Sequence, residues 1–234
     1  MDDRVLIYRG ADQPDLSVIN PESDVWQHIK VCIYVQDQME IDTLTQLPQR
    51  YLALNWPIRY SSLSSDGRLI GIAGRRGLIH YSSTSGRWKL FANEEQGQNF
   101  TVRGGLIWFH HVLVAAVEIA KSYQVSFASF HMIGLKLTVW HKIRLYSRDM
   151  ELTSQNILYH EMLAAPVIIL SIVDNSLLVY TADNTLQHYL IVPTADSIKL
   201  HLCRSITFMG IIAAPKAVRM LSWMIPGVQK RRNS

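Results

Sequence analysis

The sequence predicts an all-β fold built from short strands. From Tyr51 onward, short apolar runs alternate with turn signals, and almost none of them has the 3.6-residue period of an amphipathic helix. Certain dipeptides favour the positive φ angles of tight hairpin turns. They are Asp66-Gly67, Gly104-Gly105, Asp174-Asn175 and Asp183-Asn184.

An internal repeat indicates how these strands are grouped. Residues 66–81, DGRLIGIAGRRGLIHY, match residues 174–189, DNSLLVYTADNTLQHY, without a gap, and both read as hairpins. A weaker copy lies between them at 110–124 and continues at 143–149, where IRLY takes the place of LIHY. A step of about 45 residues with about four short strands is typical of a β-propeller blade. The fold class predicted is therefore an open, partial WD40-like β-propeller of about three blades.

The rest of the chain is expected to be less regular. Residues 1–50 are predicted to hold an edge strand, RVLIY, a long loop rich in turn-forming residues and an irregular insertion at 32–49. The blades are placed at 51–223, with a second irregular insertion at 125–142. Residues 224–234 form a basic tail, which we interpret as a solvated end and not as a nucleic-acid or lipid site.

The glycine-rich stretch around Arg75 and Arg76 invites comparison with a phosphate-binding loop. A dinucleotide fingerprint needs Gly-x-Gly-x-x-Gly between a strand and a helix, and a P-loop needs Gly-Lys-Ser/Thr before a helix. Here the spacing is Gly71-x-x-Gly74-x-x-Gly77, and the strand-like RWKLF follows. We therefore predict turns at 74–77 and 83–86, with both arginines exposed at a loop tip.

No catalytic, cofactor-binding or metal-binding residue is predicted. His110 and His111 are adjacent, so on a strand they would face opposite sides and could not readily share a metal. His80 and His188 are interpreted as structural. No Gly-x-Ser-x-Gly elbow is present. The tryptophans that border predicted strands are expected to pack in cores; they are Trp26, Trp56, Trp88 and Trp108.

Composition favours a cytosolic protein. The 234 residues are 48% hydrophobic and carry a net charge of +4, and the longest apolar runs fall far short of the roughly 20 residues of a membrane helix. The acidic start, Met-Asp-Asp-Arg, is unlike a signal peptide. The two cysteines, Cys32 and Cys203, are too few for a disulfide framework and are expected to be small buried hydrophobic residues.

Several of these motifs together resemble the later propeller blades of the Ric-one family, in particular its fungal-type members. They include the segment 55–59 (NWPIR), the Ala73-Gly74 and His80-Tyr81 pairs, the strand WKLF and the Gly104-Gly105-Leu106 segment. IRLYSRD and LLVYTADNTLQHYLI extend the resemblance to roughly three quarters of the chain.

The resemblance implies a function that composition and spacing do not. Ric-one proteins are the large subunit of a two-subunit Golgi guanine nucleotide exchange factor. The chain would then be a non-catalytic, cytoplasmic propeller segment at the Golgi membrane, with an Rgp-type partner subunit and a Rab-class GTPase, acting in endosome-to-Golgi retrograde transport. No nucleic acid is implied, and membrane association would be peripheral, through partners. The alternative is a generic WD40-type scaffold or adaptor for a coat or other multiprotein complex, which would share only the architecture.

The chain departs from the family in two places. Family members are far longer, and residues 32–49 and 125–142 interrupt stretches where the family runs on directly. We interpret both segments as translated introns, and the basic ending could share that origin. On this hypothesis, residues 125–142 form a poorly packed excursion, and joining Gln124 to Ile143 would stabilise the protein.

Overall fold

The computed structural model describes the backbone of residues 5–8, 16–19, 32–35, 38–41, 47–127, 132–194, 197–210, 214–218 and 220–221, and side chains within 47–221 except at 121–138. Trp26 and the tail 224–234 lie outside these residues. Within the described part, no helix has the length and apolar character needed to cross a membrane.

The described residues form antiparallel sheets of two or four strands. The two-stranded sheets are β1 (Val5–Tyr8) with β2 (Leu16–Ile19), and β3 (Cys32–Val35) with β4 (Gln38–Ile41). Blade 1 contains β5 (Tyr60–Leu63), β6 (Leu69–Ala73), β7 (Ile79–Ser82) and β8 (Arg87–Lys89). Blade 2 contains β9 (Thr101–Phe109), β10 (Val112–Phe127), β11 (Met132–Ser147) and β12 (Ile157–Leu163). Blade 3 contains β13 (Val167–Val173), β14 (Ser176–Thr181), β15 (Thr185–Pro193) and β16 (Ile198–Thr207).

The three blades stack as in an open propeller. Each is an up-and-down sheet in chain order, and the first strands β5, β9 and β13 lie side by side, while β12 lies next to β16. Helical segments are short: α1 (Gln49–Asn55), α2 (Glu94–Gln98) and a 3₁₀ turn (Pro215–Ala217). The predicted all-β, three-bladed, open architecture is confirmed.

Apolar side chains cover both faces of the central strands. Every residue of β6 is buried, and so is the run 112–117 of β10. Such uninterrupted runs are expected when both faces of a sheet are covered. In β10, Leu113 and Ala115 face the core between blades 1 and 2, whereas Val112 and Val114 face the core between blades 2 and 3. Blade 2 is therefore packed between two neighbours.

One pair of side chains recurs in all three blades. A buried aliphatic residue of the second strand lies opposite a buried tyrosine of the third, on the face directed away from the next blade along the chain. The pairs are Ile70 with Tyr81, Leu113 with Tyr146, and Leu177 with Tyr189. The predicted equivalence of IRLY and LIHY is thus confirmed.

The two hairpins of the internal repeat are confirmed, but their gap-free register is not. Leu69 and Leu177 are both buried, as expected, yet Leu69 contributes to the core between blades 1 and 2 and Leu177 to the core between blades 2 and 3. The equivalent of Leu177 is Ile70, because Leu177 and its partner Tyr189 enclose one residue more than Ile70 and its partner Tyr81. A shift of one residue changes the face on which a strand side chain lies.

Most predicted turns are confirmed, with one exception. Gly67, Asp174 and Asn184 have φ angles of 71°, 50° and 65° in turns between neighbouring strands. Gly104-Gly105, predicted to be a hairpin turn, instead lies inside β9, where the pairing with β10 shifts register. A Cβ on Gly104 would lie 2.4 Å from the carbonyl oxygen of Val167, so the glycine permits close approach of blade 3.

The two segments predicted to be irregular contain strands. Residues 32–35 and 38–41 pair as β3 and β4, and residues 125–127 and 132–142 continue β10 and β11 in an unbroken register from Val112↔Ser147 to Phe127↔Met132. The second segment therefore lengthens the blade 2 hairpin. The predicted long loop after RVLIY also contains β2, which pairs with β1.

Single side chains were predicted with mixed success. Trp108 is buried between blades 1 and 2, and Trp56 and Trp88 pack against the core of blade 1, as expected. Cys203, expected to be buried, is exposed on β16, as are all of residues 201–205 in the described part of the chain.

Candidate partner-binding surface

The glycine-rich loop of blade 1 is held rigidly by a buried tyrosine. Tyr51 of α1 accepts a hydrogen bond from the Gly74 amide at 2.7 Å, and its hydroxyl lies 3.2 and 3.3 Å from the carbonyl oxygens of Arg76 and Gly77. Burial raises the pKa of the Tyr51 phenol well above its usual value, so the hydroxyl stays protonated and can donate while it accepts.

Backbone bonds complete the clamp on the loop 74–77. The Arg75 amide donates to the Asn55 carbonyl at 2.6 Å, and the Gly77 amide donates to the Phe100 carbonyl at 2.9 Å. The loop is therefore tied to the end of α1 and to the start of blade 2.

At Gly74 and Gly77, backbone atoms of other segments approach so closely that a side chain would not fit. A Cβ on Gly74 would lie 2.1 Å from the Asn55 carbonyl oxygen, and one on Gly77 would lie 2.6 Å from the Gly97 carbonyl oxygen. Gly77 also has a φ of 62°. The predicted turns at 74–77 and 83–86 are confirmed, but local conformation alone does not account for Gly74.

Helices α1 and α2 lie side by side over this region. Arg50 pairs with Glu94 at their N-terminal ends at 2.5 Å. At their C-terminal ends, Gln98 donates to the Asn55 side-chain oxygen at 2.8 Å. Between them is a cleft, here called the helix cleft, with a cavity volume of about 40 Å³. Its lining includes five apolar side chains, which are Leu54, Leu78, Ile79, Leu90 and Phe91.

Three exposed arginines lie on or next to the loop 74–77, close to Asn55 and Gln98 at the C-terminal end of the helix cleft. Arg75 and Arg76 project from the clamped loop. Arg59 lies at the same end of blade 1, since its amide donates to the Ala73 carbonyl at 2.8 Å. We call these three side chains the arginine ledge. Arg76 Nη1 also donates to the Gln98 carbonyl at 2.8 Å, which satisfies a helix C-terminal acceptor of α2.

The histidines singled out in the sequence do not come together. His110 and His111 form the exposed turn between β9 and β10, which confirms a strand-end pair. His188 lies 3.0 Å from the Ser176 hydroxyl. His80 is buried next to Trp108, with the two rings perpendicular and their centroids 5.8 Å apart. Among the described residues, no group of three or more histidine, cysteine or acidic side chains is arranged to hold a metal.

Sequence reasoning missed a second cavity, which lies where the first strands of the blades meet. It has a volume of about 430 Å³ and is lined by Tyr60, Arg103, Gly104 and residues of β13, with Lys216 at its edge. Arg103 pairs with Glu118 at 3.1 Å. Gly104 lies in the lining, but a glycine pair predicts a turn and gives no sign of a cavity.

Comparison with known proteins identifies the family. Residues 1–234 match the model of the family described as the RIC1 second beta propeller domain. This chain belongs to the RIC1 propeller family. The Ric-one resemblance seen in the sequence is confirmed.

The relatives of this RIC1 chain are much longer proteins. The guanine nucleotide exchange factor subunit ric1 of Schizosaccharomyces pombe is 29% identical over 199 residues, which cover 83% of this chain and 17% of that protein. The guanine nucleotide exchange factor subunit RIC1 of Homo sapiens is 31% identical over 154 residues, covering 65% of this chain and 10% of that protein. The chain thus spans less than a fifth of either relative.

A solved propeller with likeness to this RIC1 chain is the Cps50 (Swd1) beta-propeller domain of Myceliophteria thermophila. It is 12% identical, has a TM-score of 0.30 and covers 65% of this chain and 60% of that chain. The assignment of the fold therefore depends on the three blades and on the family.

Proposed function

We propose that the chain is a non-catalytic propeller segment of a Rab guanine nucleotide exchange factor subunit, acting in endosome-to-Golgi retrograde transport. The observation that carries the proposal is the RIC1 family match over residues 1–234, together with relatives named as exchange factor subunits. The intact protein works in the cytoplasm at the Golgi membrane, with an Rgp-type partner subunit and a Rab-class GTPase as its partners.

The architecture supports a scaffolding role. Blades packed on both faces give rigid edges, and the loops between strands form surfaces on which partners can dock. The clamped loop 74–77 is one such surface. In this proposal the exchange reaction needs the intact large subunit and its partner, while this segment supplies binding surface and no catalytic group.

The experiment compares the isolated chain with the intact complex. A tag on the intact protein in its own cells is expected to recover an Rgp-type subunit, and the purified pair is expected to accelerate release of fluorescent GDP from a Golgi Rab. The isolated 234-residue chain is expected to leave the release rate unchanged.

Two outcomes would contradict the proposal. Faster GDP release by the isolated chain would show that it carries catalytic machinery. Recovery of coat or ubiquitin components without an Rgp-type subunit would support the WD40-type adaptor instead.

A further inference from the structure

We propose that the arginine ledge and the helix cleft together bind an acidic polypeptide segment that carries an aliphatic side chain. This binding site goes beyond the exchange-factor role. The proposal rests on three features of blade 1: unneutralised positive charge, an adjoining apolar cleft, and a loop fixed in place before any partner arrives.

The charge of the ledge is not neutralised by the protein itself. Arg59, Arg75 and Arg76 are all exposed, and within the described residues none of them forms an ion pair with a carboxylate. The one side-chain bond of Arg76 goes to a neutral carbonyl. Three guanidinium groups at one end of a blade favour a partner with carboxylates, which they can bind in bidentate fashion.

The cleft supplies a site for one apolar group. Leu54 is 42% exposed at its edge, and the floor is formed by side chains such as Leu78 and Phe91. A cavity of about 40 Å³ has room for roughly three water-sized groups, which is suited to the end of an aliphatic side chain. Because the cleft is this small, a protein segment fits it better than several acyl chains of a membrane would.

The charges also orient the partner. Glu94 and Glu95 lie in the first turn of α2, and Asn55 and Gln98 mark the other end of the cleft, beside the arginines. Arg50 offsets the charge of Glu94 at that end, and Glu95 leaves it with a net negative charge. Carboxylates on the partner are therefore attracted to the arginine end.

Preorganisation makes the ledge suitable for recognition. Amides of the loop donate hydrogen bonds to Tyr51, Asn55 and Phe100 and so fix its backbone, and the contacts at Gly74 and Gly77 leave it no room to move inward. A loop already fixed in its binding conformation loses less conformational entropy on binding.

The test uses the 234-residue chain and three labelled synthetic pentapeptides. Glu-Asp-Leu-Asp-Glu combines both features, Gln-Asn-Leu-Asn-Gln lacks the charge, and Glu-Asp-Ser-Asp-Glu lacks the aliphatic group. Fluorescence anisotropy is expected to show that the first binds at least about tenfold more tightly than the second, and more tightly than the third. Its affinity is expected to fall as salt is added, since exposed charges are screened.

Matched variants locate the binding. R75Q/R76Q is expected to weaken binding of the acidic peptide by about tenfold or more, R75K/R76K to retain part of it, and Leu54→Ser to remove the preference for leucine over serine. The control R87Q/R204Q removes two exposed arginines from β8 and β16 and is expected to leave binding unchanged. Thermal melting should change little in all charge variants, because every substituted arginine is exposed and the Arg76 bond to the Gln98 carbonyl lies at the surface.

Several results would overturn the proposal. One is an equal affinity of the chain for the acidic peptide and the amide peptide. Another is a loss of affinity in R87Q/R204Q as large as that in R75Q/R76Q, and a third is unchanged binding in R75Q/R76Q. The last experiment measures binding of the chain to vesicles of phosphatidylcholine with phosphatidylserine. Arginine-dependent binding to these vesicles without peptide binding would identify a lipid surface and exclude the peptide site.

Discussion

Gly74 and Gly86 lie in neighbouring loops of blade 1 but are required for different reasons. Gly86 has a φ of 62° and open space around its Cα, whereas Gly74 faces the Asn55 carbonyl oxygen, which a Cβ would approach to 2.1 Å. We expect Gly86→Ala to lower the unfolding free energy by about 1 kcal/mol, from left-handed strain alone. Gly74→Ala should lower it by more than about 3 kcal/mol, because backbone must move. Urea denaturation measures both, and equal effects would show that Gly74 tolerates a side chain.

Tyr51→Phe tests the clamp on the arginine loop. The substitution keeps the ring and removes the oxygen that accepts the Gly74 amide bond. A buried amide without a partner is expected to lower the unfolding free energy by about 1–3 kcal/mol. Tyr159→Phe is the control, since within the described residues the Tyr159 hydroxyl donates to the Glu161 carboxylate on the same strand and to no buried backbone group. A loss at Tyr159 as large as that at Tyr51 would contradict the clamp.

Burial of His80 predicts a pH-dependent stability. Burial, with a smaller contribution from Lys89, lowers the pKa of the imidazole from 6.5 to about 4. Between these values the unfolded chain binds a proton that the folded chain does not bind, so stability falls as pH drops through this window and the loss is complete below about pH 4. The 2.5-unit difference corresponds to about 3 kcal/mol.

The variant His80→Leu isolates this effect. Both ring nitrogens of His80 are buried without a hydrogen-bond partner in the described residues, so an apolar side chain of similar volume should be tolerated. Denaturation at pH 7 and pH 4.5 is expected to show a smaller loss on acidification for the variant than for the wild type. An identical loss in both proteins would mean that other groups control the acid response.

For single residues, the sequence predicts the features that depend only on neighbouring residues along the chain. Turn positions with positive φ, the exposed arginines and the strand-end histidine pair all follow from dipeptide chemistry. The clamp does not, because Tyr51 and Gly74 are distant in sequence and meet only when α1 packs on blade 1. The exposure of Cys203 likewise depends on how the described residues pack around β16, which the local sequence does not determine.

Among the elements, the long hairpin of blade 2 changes the expectation for residues 125–142. Deleting all of them would remove Trp140, which packs against the core between blades 1 and 2, and the pairings His141↔Leu163 and Lys142↔Met162. We now expect that deletion to destabilise the protein, contrary to the expectation from sequence. The hairpin tip is a better place to shorten the chain.

A truncation at the tip is expected to be nearly neutral. Ala120 pairs with Val139, so an Asn-Gly dipeptide in place of residues 121–138 would close the hairpin with a two-residue type I′ turn. Thermal melting should show a change in stability of less than about 1 kcal/mol, against a clear loss for deletion of 125–142. A similar loss in both variants would show that the distal hairpin contributes to folding.

The sequence predicts strands best where a strand is an uninterrupted apolar run and turn-forming dipeptides lie at its ends. The helix α1 was missed because its seven residues carry no capping side chain and no long apolar period, so it is stabilised by packing of Tyr51 and Leu52 on blade 1. The irregularity at Gly104 was misread because its cause, Val167, belongs to another blade.

For the whole molecule, the intron hypothesis remains a prediction. Strand pairing at 32–41 and in the extended hairpin shows that these segments can form regular structure, but does not establish that they are present in the mature message. Sequencing the transcript is expected to show both segments removed. A message that contains them without interruption would mean that the extended hairpin is a genuine feature of this propeller.

The position of α1 has a consequence for assembly. Leu47, Tyr51 and Leu52 cover the face of blade 1 on which Ile70, Ile72 and Tyr81 lie, so this face presents a helix and not a bare sheet. Because α1 keeps water from these side chains, an apolar surface that would otherwise favour association is already covered within the described residues.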